Sequence, residues 1–265
     1  ELARYIDWGP FFQAGELSGP FPATLDDAVV GEAARNVYAE GQAMLREIVA
    51  GRWLTANGAV ALLPANSVGD DIEMYADESR AKVALTWHNL RQQNERPPGK
   101  PNYCLSDFVA PKASGVRDYL GAFAVTTGLG IEKRLALFEA KKDDYSAIML
   151  KALADRLAEA FAEWLHGKVR RELWGYARDE HLDTAELIRE EYRGIRPAPG
   201  YPACPEHGVK APLFTLLRAS GIGMSLTENF AMLPAAAISG FYLAHPEAMY
   251  FAVGKIGADQ AADFA

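Results

Sequence analysis

Four prolines in the twelve residues Arg196-Pro197-Ala198-Pro199-Gly200-Tyr201-Pro202-Ala203-Cys204-Pro205-Glu206-His207 hold an arginine, a glycine and a tyrosine on an extended, pre-ordered backbone. Each proline fixes its own φ and keeps the preceding residue out of the αR region. The stretch therefore cannot be helical, and it loses little entropy when a ligand docks along it. Arg196 offers a planar fork for a carboxylate or phosphate, Tyr201 a flat ring with a hydroxyl, and Gly200 a point where the main chain can approach a ligand closely. The chemistry implied is recognition of an anionic group beside an aromatic surface. A surface connector has the same composition, and spacing alone does not separate the two readings.

Other chemistries lack their machinery. Cys204-x-x-His207 has a metal-chelating gap but no second pair at zinc-ligand spacing, so a structural role fits both residues better. Gly128-Leu129-Gly130 and Gly221-Ile222-Gly223 each lack the third glycine of a dinucleotide loop, and no Walker pattern occurs. No Gly-x-Ser-x-Gly elbow is present and the five histidines are scattered, which leaves nucleophilic hydrolysis without a triad. A net charge of -8 with no basic stripe argues against a nucleic-acid partner. The apolar runs at 59–63 and 231–238 are too short to span a bilayer, which argues against a membrane partner. With only two cysteines at unrelated positions and no signal-peptide pattern, the expected compartment is cytoplasmic.

The elements that must position the proline segment follow from periodicity. Thr24-x-x-Asp27 reads as a capping box before a helix running to about Ala50. Strand-like runs follow at 59–63, 72–75 and 83–87, separated by turn-rich clusters too short for crossover helices, so antiparallel pairing is expected among them, and 119–127 reads as a further strand. Arg96-Pro97-Pro98-Gly99-Lys100-Pro101 predicts a surface loop. From Asp143 an apolar stripe, Leu150, Leu153, Leu157, Phe161, Trp164 and Leu165, predicts the longest helix, ending near Gly175. A shorter helix capped at Asp183 or Thr184 is expected to reach Tyr192, and another, with Pro212 in its first turn, to stop at Gly221. The spans 238–244 and 249–256 predict a β-hairpin around Pro246-Glu247-Ala248. Strands at both ends of a long helical middle indicate an α+β fold with a mainly antiparallel central sheet flanked by helices.

Arg196-x-x-x-Gly200-Tyr201 resembles a signature of the C-terminal activation domain of cobalamin-dependent methionine synthase, a domain that binds S-adenosylmethionine. Six further blocks resemble that family in the same order: Tyr5-Ile6-Asp7-Trp8-x-Pro10-Phe11-Phe12, Pro64-Ala65-Asn66-x-Val68-Gly69-Asp70-Asp71-Ile72, Leu90-Arg91-Gln92-Gln93, Asp107-Phe108-Val109-Ala110-Pro111, Lys151-Ala152-Leu153-Ala154-Asp155-Arg156-Leu157-Ala158-Glu159-Ala160-Phe161 and Ser239-Gly240-Phe241-Tyr242. The likeness runs from end to end. It implies one C-shaped domain over 1–265, with a long central helix, excised from a longer multidomain chain. The chain begins at Glu1 rather than methionine and ends within a helix start at 257–265, as a trimmed fragment would.

The resemblance also implies a site. Arg196 takes the α-carboxylate of S-adenosylmethionine, Asp7, Glu159 and Glu190 face its ammonium or sulfonium, Tyr250 and Phe251 line the cofactor, and Ala198, Gly200 and Tyr201 present the ledge. Periodicity offers plainer alternatives. Asp7 begins a turn before Trp8-Gly9-Pro10, Glu159 lies one turn from Asp155 and Glu163 on what reads as a solvated helix face, and Glu190 sits among surface ion pairs in Arg189-Glu190-Glu191. On a strand, Tyr250 and Phe251 point to opposite faces, so one of them should be core. Gly15 stands where the family suggests a large aromatic, and Ser67 where it suggests a basic residue.

In function, the resemblance implies that the domain presents the methyl group to cob(I)alamin during reductive reactivation, with electrons from flavodoxin or an equivalent reductase. Cobalamin would be bound by a separate domain of the same enzyme, because Asp179-Glu180-His181 lacks the glycine of the Asp-x-His-x-x-Gly corrinoid motif, Thr184 standing in its place. Zinc belongs only to the homocysteine domain, which is not in this chain. The isolated fragment would bind the donor without turnover. Because flavodoxins are commonly acidic, a chain of this charge needs a local basic patch to receive one. A second reading is an interaction module that caps the cobalamin domain and docks the electron donor with little ligand binding. A third is an independent methyltransferase, against which the missing glycine-rich loop speaks.

Overall fold

The structure, a computed structural model, describes residues 1–14, 17 and 19–264. Gly15, singled out in the sequence, lies outside the described residues, as does Ala265. Five strands form one antiparallel sheet: β1 (Thr55–Val68), β2 (Asp71–Tyr75), β3 (Val83–Trp87), β4 (Asp118–Leu129) and β7 (Ala237–Tyr242), in the spatial order β3-β2-β1-β4-β7. A separate two-stranded ribbon pairs β5 (Ser225–Leu226) with β6 (Met232–Leu233). Helices α1 (Gly9–Ala14), α2 (Gly31–Gly51), α3 (Ile131–Ala140), α4 (Asp144–Lys168), α5 (Thr184–Ile188), α6 (Lys210–Leu217) and α7 (Ala258–Phe264) complete the α+β architecture, with α4 the long central helix. No helix among the described residues is long and apolar enough to cross a membrane.

β4 is buried on both faces, and its alternation divides the core. Leu120, Ala122 and Ala124 pack with Leu213, Phe214 and Leu217 of α6 on one side, while Phe123 and Val125 pack with Phe161 and Leu165 of α4 on the other. The N-terminal half of α4, through Met149, Leu150 and Leu153, meets Trp8, Phe11 and Phe12 of the opening segment and Ala34, Leu45 and Ile48 of α2. β1 extends beyond the expected 59–63 at both ends. Gly58 leaves room for the Phe161 ring, where a Cβ would come within 3.0 Å, and Pro64 pairs with β4 alone, just before the β1–β2 register begins at Ala65↔Met74.

The helix boundaries show which signals held locally. Asp143 caps α4 by accepting a hydrogen bond from the Ser146 amide at 3.0 Å. Asp183 and Glu186 form a reciprocal capping box at α5. Thr24 and Asp27 do not form the box read from the sequence. Asp27 Oδ1 instead accepts from the Val29 and Val30 amides at 2.8 and 2.9 Å, an Asx turn that delivers the chain to α2 at Gly31. α5 also stops short of Tyr192, because Glu190 takes a left-handed φ of 57°.

The expected hairpin at 238–256 is corrected. Only β7 forms, and 249–256 contains no strand. The edge of β7 facing away from β4 is already used: Ile195 and Leu243 exchange two backbone hydrogen bonds of 3.0 Å, and the Phe241 amide donates to Pro197 O at 3.0 Å. The proline segment has taken the place of the second hairpin strand. Residues 249–256 are instead tied across the loops, with the Val253 amide donating to Pro202 O and the Gln92 side chain to Ala252 O.

Gly240 makes this docking possible, since a Cβ there would meet Pro197 O at 2.4 Å and the Phe123 ring at 3.1 Å. Gly240→Val should therefore destabilise the chain by about 1–3 kcal/mol, the usual cost of overpacking, read as a lower urea midpoint. An unchanged midpoint would show that the ledge is not pinned there.

Candidate functional site

A cavity of about 650 Å³ opens between the ledge, α4 and the opening segment, within the size range of small-molecule sites. Eight of the nine candidate residues line it: Asp7, Glu159, Glu190, Arg196, Ala198, Tyr201, Tyr250 and Phe251. Gly200 does not. Its φ of 99° closes a turn in which its amide donates to Cys204 O, and a Cβ would strike the His207 ring at 2.3 Å. The glycine serves this turn and its packing on His207 rather than contact with the cavity.

The floor of the cavity comes from one face of α4. Arg156, Glu159, Glu163, His166 and Arg170 recur at alternating three- and four-residue intervals, the spacing of a single helical stripe, and burial deepens along it. Glu159 is part-buried, Glu163 is 9% exposed, His166 0% and Arg170 1%. Glu159 is therefore not on a solvated face. The helix relaxes into a π-turn over Val169–Leu173, in which Arg170 is buried.

Arg196 closes this stripe from the opposite side. Its Nη1 lies 2.8 Å from Glu163 Oε2, donates to the Tyr192 hydroxyl at 3.0 Å, and approaches His166 Nδ1 at 3.4 Å. Behind it, Glu163 Oε1 stands 3.9 Å from Arg170 Nη1, and Arg170 Nε donates to both oxygens of Glu180 at 2.8 and 3.0 Å. Positive and negative charges alternate through the buried row, as they must where desolvation would penalise any one alone. Burial works against the Arg196 charge, but Glu163, Tyr192 and Tyr250 more than offset it, so its pKa is raised.

An arginine only donates, so His166 Nδ1 is the acceptor and its proton resides on Nε2, 3.5 Å from the Tyr176 hydroxyl. Burial, then Arg170 and Arg196, hold this imidazole well below 6.5. Burial likewise pushes the Glu159 and Glu190 carboxyls above their ordinary value, with Arg196 pulling the other way on both. Glu159, Glu190 and Arg196 line the same cavity, and His166 is buried behind Arg196.

The remaining candidates sit on short, well-anchored segments. Asp7 Oδ1 accepts from the Gly9 amide at 2.9 Å, so it begins a turn and also lines the cavity. Glu190 reaches the cavity from a left-handed backbone position that costs a non-glycine residue about 1 kcal/mol or more. The Tyr250 hydroxyl accepts from the Arg196 amide at 2.9 Å and lies 3.3 Å from the Tyr192 hydroxyl. Because 249–256 is not a strand, Tyr250 and Phe251 do not alternate between core and surface, and both face the cavity. The Tyr201 hydroxyl stands 3.5 Å from Glu159 Oε1.

Glu163, Arg156, Leu187, Phe123 and Ile238 also line the cavity and were not read from the sequence. The three-four spacing of titratable residues on α4 was the available signal. Other blocks that carry the family resemblance serve the scaffold: Arg91 reaches Asp70 and Asp107, each at 2.7 Å, away from the cavity. Among the described residues, no group of three or more His, Cys, Asp or Glu side chains is arranged to hold a metal ion.

A family model described as "Vitamin B12 dependent methionine synthase, activation domain" matches residues 1–265. The chain is also similar to a solved structure described as "Crystal Structure of the MetH Reactivation Domain bound to AdoHcy". The identity is 55% and the TM-score 0.96, and the match covers 99% of this chain and 81% of that one.

The buried neutral imidazole has a measurable signature. The unfolded chain takes a proton on His166 near pH 6.5 while the folded chain refuses it, so stability is full above that pH and falls below it. Relative to His166→Phe, wild type should lose up to about 1.4 kcal/mol per pH unit on acidification below 6.5, read from urea unfolding between pH 5 and 8. A pH-independent difference would mean that His166 titrates normally.

Proposed function

From the premise that this chain belongs to the vitamin B12 dependent methionine synthase activation domain family, we propose that it binds S-adenosylmethionine in the Arg196 cavity as one domain of a longer enzyme. The observation that carries this reading is the mixed charge of one cavity: the Arg196 guanidinium faces it together with Asp7, Glu159 and Glu190, and Arg156 and Glu163 complete its charged lining. S-adenosylmethionine presents a carboxylate, an ammonium and a sulfonium, and that donor set fits it. All the Arg196 side-chain hydrogen bonds within the described residues run through Nη1, which leaves Nε and Nη2 for a ligand carboxylate. Phe251, Tyr250, Phe123 and Ile238 supply apolar and aromatic surface for a nucleoside.

During reductive reactivation, one electron from flavodoxin or a similar reductase would bring the cobalamin of a neighbouring domain to the cob(I) state, and the bound sulfonium would then give up its methyl group to it, the C–S bond breaking to leave S-adenosylhomocysteine. This chain's residues bind and orient. No side chain of the cavity needs to move a proton, and a ledge stiffened by Pro197, Pro199 and Pro202 and hydrogen-bonded to β7 keeps the amino-acid end of the donor in one place. A similar solved domain with AdoHcy bound supports the ligand class.

Isothermal titration of the protein with S-adenosylmethionine should give saturable binding, weakened about 10- to 100-fold by Arg196→Ala, the worth of a charge-assisted contact. Affinity should also fall as pH is lowered through the raised pKa values of Glu159 and Glu190, since a protonated carboxyl no longer attracts a cation. Glu159→Gln should flatten that dependence. Absence of heat with folded wild type would sink the proposal.

A further inference from the structure

The cavity contacts a fourth carboxylate, which carries no assigned role. Glu163 lies one turn beyond Glu159 on α4, nine-tenths buried, with Oε2 on Arg196 Nη1 at 2.8 Å. It also stands between two arginines, since Oε1 faces Arg170 Nη1 at 3.9 Å without a hydrogen bond. Arg170 is itself fixed, held by both oxygens of Glu180 and lying over the Tyr192 ring at 4.4 Å. Glu163 therefore has a fixed cation behind it, and its closer contact is with Arg196 in front.

A guanidinium is a planar fork whose two bidentate edges are Nη1–Nη2 and Nε–Nη2. With Nη1 committed to Glu163 and to the Tyr192 hydroxyl, the first edge is occupied. We infer that Glu163 is a positioning residue: it holds Arg196 by Nη1 so that the Nε–Nη2 edge is the one that receives a ligand's carboxylate. The inference rests on the proposed function, since it assigns a support to the group that binds the amino-acid end of the donor. Without the Glu163 carboxylate, Arg196 and Arg170 would repel each other across the site. Arg196 would also lose its preferred plane, although the cavity walls that hold the nucleoside would remain.

The test compares two ligands on the whole chain: S-adenosylhomocysteine, which has the amino-acid carboxylate, and methylthioadenosine, which lacks it. Glu163→Ala should weaken the first by about ten-fold or more and leave the second within about two-fold. Glu163→Gln, which keeps an acceptor for Nη1 but not the charge between the two arginines, should restore part of the loss. Equal weakening of both ligands would reduce Glu163 to a structural residue and overturn the inference, as would unchanged or tighter binding of S-adenosylhomocysteine. Where the alanine variant does not fold, wild-type protein decides: NMR of the ligand-free chain should show distinct, slowly exchanging guanidinium resonances for Arg196, assigned by their loss in Arg196→Lys. Averaged resonances would overturn the inference. Failure of wild type to bind either ligand would sink the proposed function instead, and the guanidinium resonances would still judge the role of Glu163.

Discussion

A carboxylate on the longest helix and a guanidinium on a proline-stiffened segment meet 2.8 Å apart beneath the cavity, and the geometry of the site follows from keeping them together. Neither charge is tolerable alone in that surrounding, and removal of one partner from such a pair commonly costs about 3–5 kcal/mol. The requirement propagates outward. Arg170 must come inward to balance Glu163, which the π-turn after α4 allows, and Glu180 must follow to balance Arg170. His166, between the two arginines, must stay neutral. Segments far apart in sequence are thus held to one arrangement by charge alternation as well as by apolar packing.

The groups lining the cavity are charges and rings on rigid supports, and among the described residues the lining pairs no nucleophile with a base. Such a site can hold a reactive small molecule without acting on it. The order is supplied locally: Asp7 by its turn, Glu190 by a left-handed backbone position, Tyr250 by its hydrogen bond from the Arg196 amide. These devices fix side chains with little reliance on long flexible rotamers, which limits the entropy lost on docking.

How much of this was legible in the sequence depended on whether the controlling contacts were local. β2 and β3 carried their own alternation between turns, α4 its own cap and stripe, and the proline ledge its own stiffness, so each read correctly without tertiary context. α3 escaped notice because none of its residues is fully buried and its apolar stripe, Ile131, Leu135 and Phe138, is only two turns long. The missing hairpin was a failure of another kind: 249–256 has strand-like residues, but the edge they would join is taken by Ile195 and Pro197, a competition no local pattern records. Glu163 was the subtlest case. A glutamate one turn from another glutamate reads as a wet face, and only the partners arriving from 170 and 196 turn that face into the interior. Arg196 stood out from the proline segment alone, whereas for Asp7, Glu159 and Glu190 the family resemblance named candidates that periodicity would have assigned to a turn, a wet helix face and surface ion pairs.

The ledge has one more consequence. An outermost strand leaves a row of N–H and C=O groups that invites strand addition from another molecule, and on β7 that row is partly closed by Ile195 and Pro197, a segment whose prolines cannot donate to an incoming chain. The part of the molecule that carries the arginine is thus also its guard against intermolecular sheet growth. Any change that frees the ledge to accommodate a bulkier guest bares that row, so solubility sets a bound on how far this pocket can be remodelled.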